Sequence, residues 1–140
     1  MKIYKDAASL VIVMRHDERF GDCMRSIASL PDFRSGVIVT GLGMVRKAEL
    51  GYGYYDGSSV RYDRHIVVEP SELVSLSGFV LASSEYPFHV HAVLGGLEGR
   101  SWAGHLFDAE VHTFVELVLQ PLSLQLGRKT VDGLPELGVW

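Results

Sequence analysis

A chain of 140 residues, 47% apolar and 21% charged, is long enough for one globular domain with its own core and too short for two. Its formal charge is −4 and no run of Lys or Arg exceeds two residues, so composition offers no basic footprint for nucleic acid. No apolar run nears the roughly 20 residues of a membrane span, and a single cysteine, Cys23, excludes an internal disulfide and fits a reducing cytoplasm.

Residues 7–14 are apolar but run into Arg15-His16-Asp17-Glu18-Arg19 without a small-residue cleavage site, which argues against a secretory signal. Within them, residues 10–14 predict a short buried strand. Residues 20–30 predict a helix, because Phe20, Met24, Ile27 and Leu30 recur at spacings of four and three; Pro31 ends it. Cys23 lies among apolar neighbours there and reads as a buried, inert thiol. From Val37 the pattern turns to β. Residues 37–39 form a strand, and Ala48, Leu50, Tyr52 and Tyr54 then alternate with Lys47, Glu49, Gly51 and Gly53 up to the hairpin signal Asp56-Gly57. Residues 60–68 return, and Pro70-Ser71 marks a break. Residues 73–82 are apolar on both faces, as in a central strand. Residues 88–94, 100–107 and 111–119 follow, joined by Gly95-Gly96-Leu97-Glu98-Gly99 and by Asp108-Ala109. Leu122, Leu124 and Leu126 alternate as a last edge strand, and residues 130–140 read as a tail. One main helix and about seven strands make a single α+β domain over residues 1–140, built on a mostly antiparallel β-sheet, with its core in residues 8–120.

The segment Phe88-His89-Val90-His91 carries the chemistry. Side chains alternate along a strand, so His89 and His91 share a face about 7 Å apart, and a hairpin partner carrying His105 brings a third imidazole beside them. Three convergent imidazoles suit Zn²⁺ or another divalent transition metal and leave a fourth position open. Each histidine could instead bond a backbone carbonyl at a sheet edge or subunit seam. A catalytic use would need a proton-transfer group, for which Glu85 and Glu116 are the nearest candidates; no catalytic residue is assigned. His65 and His112 lack partners at ligand spacing; His112 shares a strand face with Phe114 and Glu116, which permits it to support a ligand, but the reading preferred for it is a surface or seam histidine. His16 belongs to a solvated turn. Gly41-Leu42-Gly43 fails as a dinucleotide motif, because Arg46 stands at the third glycine and a strand follows; its glycines serve a bend or close approach. Ser75 and Ser77 lack a nucleophile elbow. Tyr52, Tyr54, Tyr55 and Tyr62 cluster around the Asp56-Gly57 hairpin and read as packing or a subunit contact rather than a base-stacking platform.

Several of these pieces occur together in one known family. Val37-Ile38-Val39-Thr40-Gly41-Leu42-Gly43, Lys47-Ala48-Glu49-Leu50, Glu72-Leu73-Val74-Ser75-Leu76-Ser77-Gly78, Phe88-His89-Val90-His91, Gly104-His105-Leu106 and Val111-His112-Thr113-Phe114-Val115-Glu116-Leu117 run in the order of the PPC (plant and prokaryote conserved) domain, which the chain resembles over roughly residues 8–120. The resemblance implies an antiparallel sheet domain, usually a homotrimer, with the family's histidines at His89, His91 and His105. Here Ala103 replaces the first of the paired glycines before the last histidine, and Gly95-Gly96-Leu97-Glu98 stands where acidic residues are common. Plant members attach AT-hooks and act as nuclear DNA-binding regulators, whereas prokaryotic members consist of the domain alone. This sequence has no Arg-Gly-Arg-Pro core of an AT-hook. The expectation is therefore a stand-alone, cytoplasmic, trimeric zinc-binding module with an unknown small-molecule ligand. A DNA-binding regulator, disfavoured by charge, and a metal-dependent hydrolase or lyase are the alternatives.

Overall fold

The structure is a computed structural model describing residues 1–82 and 84–139. In chain order its elements are β1 (Lys2–Asp6), β2 (Ser9–Arg15), α1 (Phe20–Ala28), β3 (Ser35–Tyr55), β4 (Val60–Val67), β5 (Ser71–Leu81), β6 (Phe88–Gly95), a 3₁₀ turn (Leu97–Gly99), β7 (Ser101–Leu122), β8 (Leu126–Val131) and β9 (Leu134–Val139). Seven strands form the main sheet in the order β1-β2-β7-β6-β5-β3-β4, all antiparallel. β7 also pairs with β3, so β7, β6, β5 and β3 close into a ring and leave few free edges. Leu50, Leu73, Leu94 and Leu106 fill the core, where alternate strand positions turn inward. Phe20, Met24 and Ile27 of α1 are buried with them, and Phe20 meets Phe88 edge-on at 6.0 Å. Among the described residues, no helix is long and apolar enough to cross a membrane.

The predicted helix, the Asp56-Gly57 turn and the mostly antiparallel sheet all stand. Several boundaries differ. Residues 37–39 and 48–54 belong to one strand, β3, which carries four register shifts against β7. Such bulges bend a strand without ending it. One of them is the close approach at Gly43, where a Cβ would stand 2.1 Å from the Phe114 carbonyl oxygen. Likewise Asp108-Ala109 interrupts nothing, because β7 runs through it. Asp108 accepts a hydrogen bond from the Gly21 backbone N–H at 2.9 Å and from Arg19 Nε at 3.1 Å. Arg19 provides no side-chain cap for α1, so a strand carboxylate satisfies a first-turn donor and complements the helix dipole. Polarity at Asp108 reflects that cap.

The N-terminal strand β1 went unpredicted, and the expected edge strand around Leu122, Leu124 and Leu126 is absent: Leu122 closes β7 and Leu126 opens β8. The expected tail is instead the β8–β9 hairpin, turned at Asp132-Gly133, the same signal read at Asp56-Gly57. Only Trp140, the end of that tail, lies outside the described residues. This hairpin shares no backbone ladder with the main sheet. Its turn rests on the β3–β4 turn, where a Cβ at Gly133 would stand 2.1 Å from the Ser58 carbonyl oxygen.

Candidate metal centre

On β6, His89 and His91 alternate with the buried Val90 and Ala92, so both imidazoles leave one face. Pairing of β6 with β7 sets His91 opposite His105. Gly51 of β3 lies opposite His105 on the other side, and a Cβ there would stand 2.6 Å from the Phe107 ring and 3.3 Å from Tyr62. The missing side chain is what admits both rings beside the histidines. Gly104 lets β7 approach β3 closely: a Cβ on it would stand 2.6 Å from the Gly51 carbonyl oxygen.

The three imidazoles come together. Ring centroids are 5.2 Å apart for His89–His91, 4.8 Å for His89–His105 and 5.6 Å for His91–His105. His89 Nε2 and His91 Nε2 are 3.1 Å apart. One nitrogen from each ring lies within 4.8 Å of the others. Tetrahedral coordination with bonds of about 2.0–2.1 Å separates ligand nitrogens by about 3.3 Å. The closest pair already meets that spacing.

His105 Nδ1 supplies a test of fit. It is buried and has no hydrogen-bond partner among the described residues. Buried polar atoms are nearly always paired, and an ion is one of the few ways to satisfy a bare ring nitrogen. Protonation favours ligation too. Burial, then the charge of Arg128, then His91 pushes His89 down to about 4. Burial, then His89, His91, Arg64 and Arg128 pushes His105 down to about 4. Both rings are therefore neutral at physiological pH, the form that binds metal.

One wall of the site is aromatic. His105 lies 5.0 Å from Tyr62 and 4.3 Å from Phe107 by ring centroid. The Arg64 guanidinium covers Phe107 at 3.6 Å from the centroid, while its Nη1 donates to Glu49 at 3.0 Å. From the C-terminal hairpin, the charge of Arg128 bears on His89 and His105. Sequence reading missed this surround. Tyr62 could have been found from its register opposite Gly53, near Gly51 and hence His105, but nothing local marks Arg128.

The other candidates lie elsewhere. Glu116 is exposed, eleven positions beyond His105 on β7, and Glu85 is exposed in the β5–β6 connection; neither belongs to the histidine cluster. His112 sits 6.1 Å from the ring of His16 and 3.5 Å from Arg46 Nη1, beside an ion-pair group of Asp17, Arg46, Lys47 and Glu110. It does not support the histidine cluster. His65 is exposed on β4. Cys23 is buried on α1, and burial followed by the charge of Glu18 pushes its thiol up to about 11, so it is inert as a nucleophile.

Comparison with known proteins agrees with this architecture. The sequence matches the Plants and Prokaryotes Conserved (PCC) domain, also written PPC, over residues 1–123. A plant- and prokaryote-conserved protein from Pyrococcus horikoshii superposes with a TM-score of 0.76 at 20% identity, covering 94% of this chain and 88% of that one. A protein from Bacteroides thetaiotaomicron, provisionally assigned to DNA binding, gives 0.82 at 20% identity over 99% and 96% of the two chains. A metal-containing protein from Archaeoglobus fulgidus gives 0.77 at 25% identity over 97% and 98%. Comparison with curated proteins returned no match.

Proposed function

This chain belongs to the Plants and Prokaryotes Conserved domain family, and we propose that it works as a metal-binding module in which His89, His91 and His105 hold one Zn²⁺ or similar divalent transition ion. Two observations carry this: the three imidazoles each bring a ring nitrogen within 4.8 Å of the others, and among the described residues the buried Nδ1 of His105 has no hydrogen-bond partner. The metal-containing relative from Archaeoglobus fulgidus supports it. A bound ion supplies Lewis acidity at a position the histidines leave open. The chain's own residues fix the ring faces through β6 and β7, keep two imidazoles neutral, and shield one side with Tyr62 and Phe107. Among the described residues no carboxylate joins the cluster.

The module is proposed to act as a homotrimer in the cytoplasm. Val93 follows His91 on the same exposed face of β6, Val74 is exposed on the neighbouring β5, and Val39 and Leu42 are exposed on β3, which pairs with β5. Apolar positions of that kind suit burial between subunits.

DNA binding is the second reading, favoured by the provisional assignment of the Bacteroides thetaiotaomicron relative. A net charge of −4 opposes it, because few phosphates can be neutralised and the overall field repels a polyanion. One purified sample separates the two. Elemental analysis is expected to find about one metal ion per chain, light scattering a trimer mass, and an electrophoretic shift little binding to unselected duplex near 150 mM salt. True non-specific binders show dissociation constants of roughly 10⁻⁴–10⁻⁶ M. Metal-free protein with a sub-micromolar, steeply salt-dependent shift would reverse the assignment.

A further inference from the structure

We propose that the histidine site takes an anionic ligand, a small carboxylate or phosphate, gripped by Arg128 from the β8–β9 hairpin; the proposal rests on the metal assignment above. Arg128 lies on β8 opposite Leu137, outside the stretch that matches the family domain. Its Nη1 donates to the Pro135 carbonyl at 2.7 Å, which fixes the guanidinium within the hairpin. Among the described residues its buried Nε has no hydrogen-bond partner and no carboxylate pairs with it. A donor on a charged group left bare in a buried position is costly, and native structures seldom retain one without a use. With Nη1 occupied, the edge bearing Nε remains, and a guanidinium edge of this kind matches two oxygens of a carboxylate or phosphate.

Charge around the site points to the same class of ligand. The groups bearing on His89 and His105 are other histidines, Arg64 and Arg128; none is a carboxylate. Arg64 already has Glu49 as a partner, whereas Arg128 has no acidic partner among the described residues. Imidazole ligands carry no charge of their own, so a divalent ion held by the three would keep its full charge, and Arg128 adds one more in a partly buried place. Uncompensated charge of that size calls for an anion. The open position beside the histidines and the Arg128 edge would together bind its oxygens, while Tyr62 and Phe107 offer an apolar wall to any carbon skeleton it carries.

Cobalt(II) loading makes the proposal visible, because the d–d absorption of the ion responds to its ligands. Acetate and phosphate are titrated in separate arms, at constant ionic strength in a non-coordinating buffer. A saturable spectral change is expected in at least one arm, and the responding arm names the class of anion. In Arg128→Gln the same cobalt spectrum should form, with the anion bound about 10- to 100-fold more weakly, and Arg128→Lys should recover part of the loss. Equal anion affinity in wild type and Arg128→Gln, or a cobalt spectrum indifferent to both anions, overturns this inference alone. Failure of wild type to give a cobalt spectrum overturns the metal assignment and this inference with it. Should Arg128→Gln not fold, phenylglyoxal labelling of cobalt-loaded wild type replaces it. Saturating anion should then slow modification of Arg128, and an unchanged labelling rate overturns the proposal.

Discussion

Replacing His91 by alanine is expected to abolish tight zinc binding while leaving the metal-free fold almost unchanged. His91 is exposed on β6, and its side chain lies on the face away from the buried Val90 and Ala92. Surface substitutions of this kind usually shift stability by no more than about 0.5 kcal/mol. Metal affinity behaves differently. Losing a residue that merely orients a ligand costs about 10–100-fold, so losing a ligand outright should cost more than about 100-fold. Wild-type protein at a zinc concentration a hundredfold above Kd gains about 2.7 kcal/mol of stability from mass action, a rise of several degrees in Tm. That rise should vanish in His91→Ala and persist in His65→Ala, an exposed β4 residue that is not one of the clustered histidines. Calorimetric titration and thermal melts with and without zinc read both effects. Wild-type affinity in His91→Ala would remove the three-histidine centre.

The second large effect is expected at Gly78, where fold and site meet. It pairs with Val90 between the two β6 histidines and has φ +147°, which L side chains rarely adopt. A Cβ there would stand 2.1 Å from the His89 carbonyl oxygen and 2.7 Å from Val90 Cα. Both obstacles are backbone, so β6 itself must move. Backbone strain and overpacking each cost about 1–3 kcal/mol, and Gly78→Ala should lose about 3–5 kcal/mol of stability. The displaced strand carries His89 and His91, so metal affinity falls as well. Gly57→Ala is the matched comparison: φ is +94°, but nothing lies within 4 Å of its Cβ, so only the conformational cost of about 1 kcal/mol remains. Urea unfolding separates the two variants. Equal losses at the two positions would show that the close approach of β5 to β6 at Gly78 is not what holds the histidines in place.

Features legible in the sequence are those with a short-range period. Phe20, Met24 and Ile27 drew the helical stripe, Asp56-Gly57 the hairpin, and His89 and His91 their shared strand face. A hairpin partner carrying His105 was legible from the short glycine-rich connection between two strands, but its register, His105 opposite His91, was not. Features that were not legible depend on partners distant in sequence. Bulges in β3 look like strand ends because alternation is lost, although pairing with β7 continues. Asp108 resembles a turn residue until α1 is seen donating to it. Asp132-Gly133 was a readable hairpin signal, masked by Pro135 and Gly138 in the returning strand; Pro135 is tolerated because the two-stranded hairpin leaves β9 a free edge. Arg128 could not be assigned to the histidines from sequence, because no ladder links its hairpin to the main sheet and only tertiary packing brings its charge to them.

X-ray absorption at the zinc edge of the loaded protein tests the central claim most directly. Three imidazole nitrogens at about 2.0–2.1 Å, with one further light-atom ligand, are expected in wild type, and one imidazole fewer in His91→Ala. A spectrum with fewer than three imidazoles in wild type, or one unchanged by His91→Ala, would contradict a metal centre built from His89, His91 and His105.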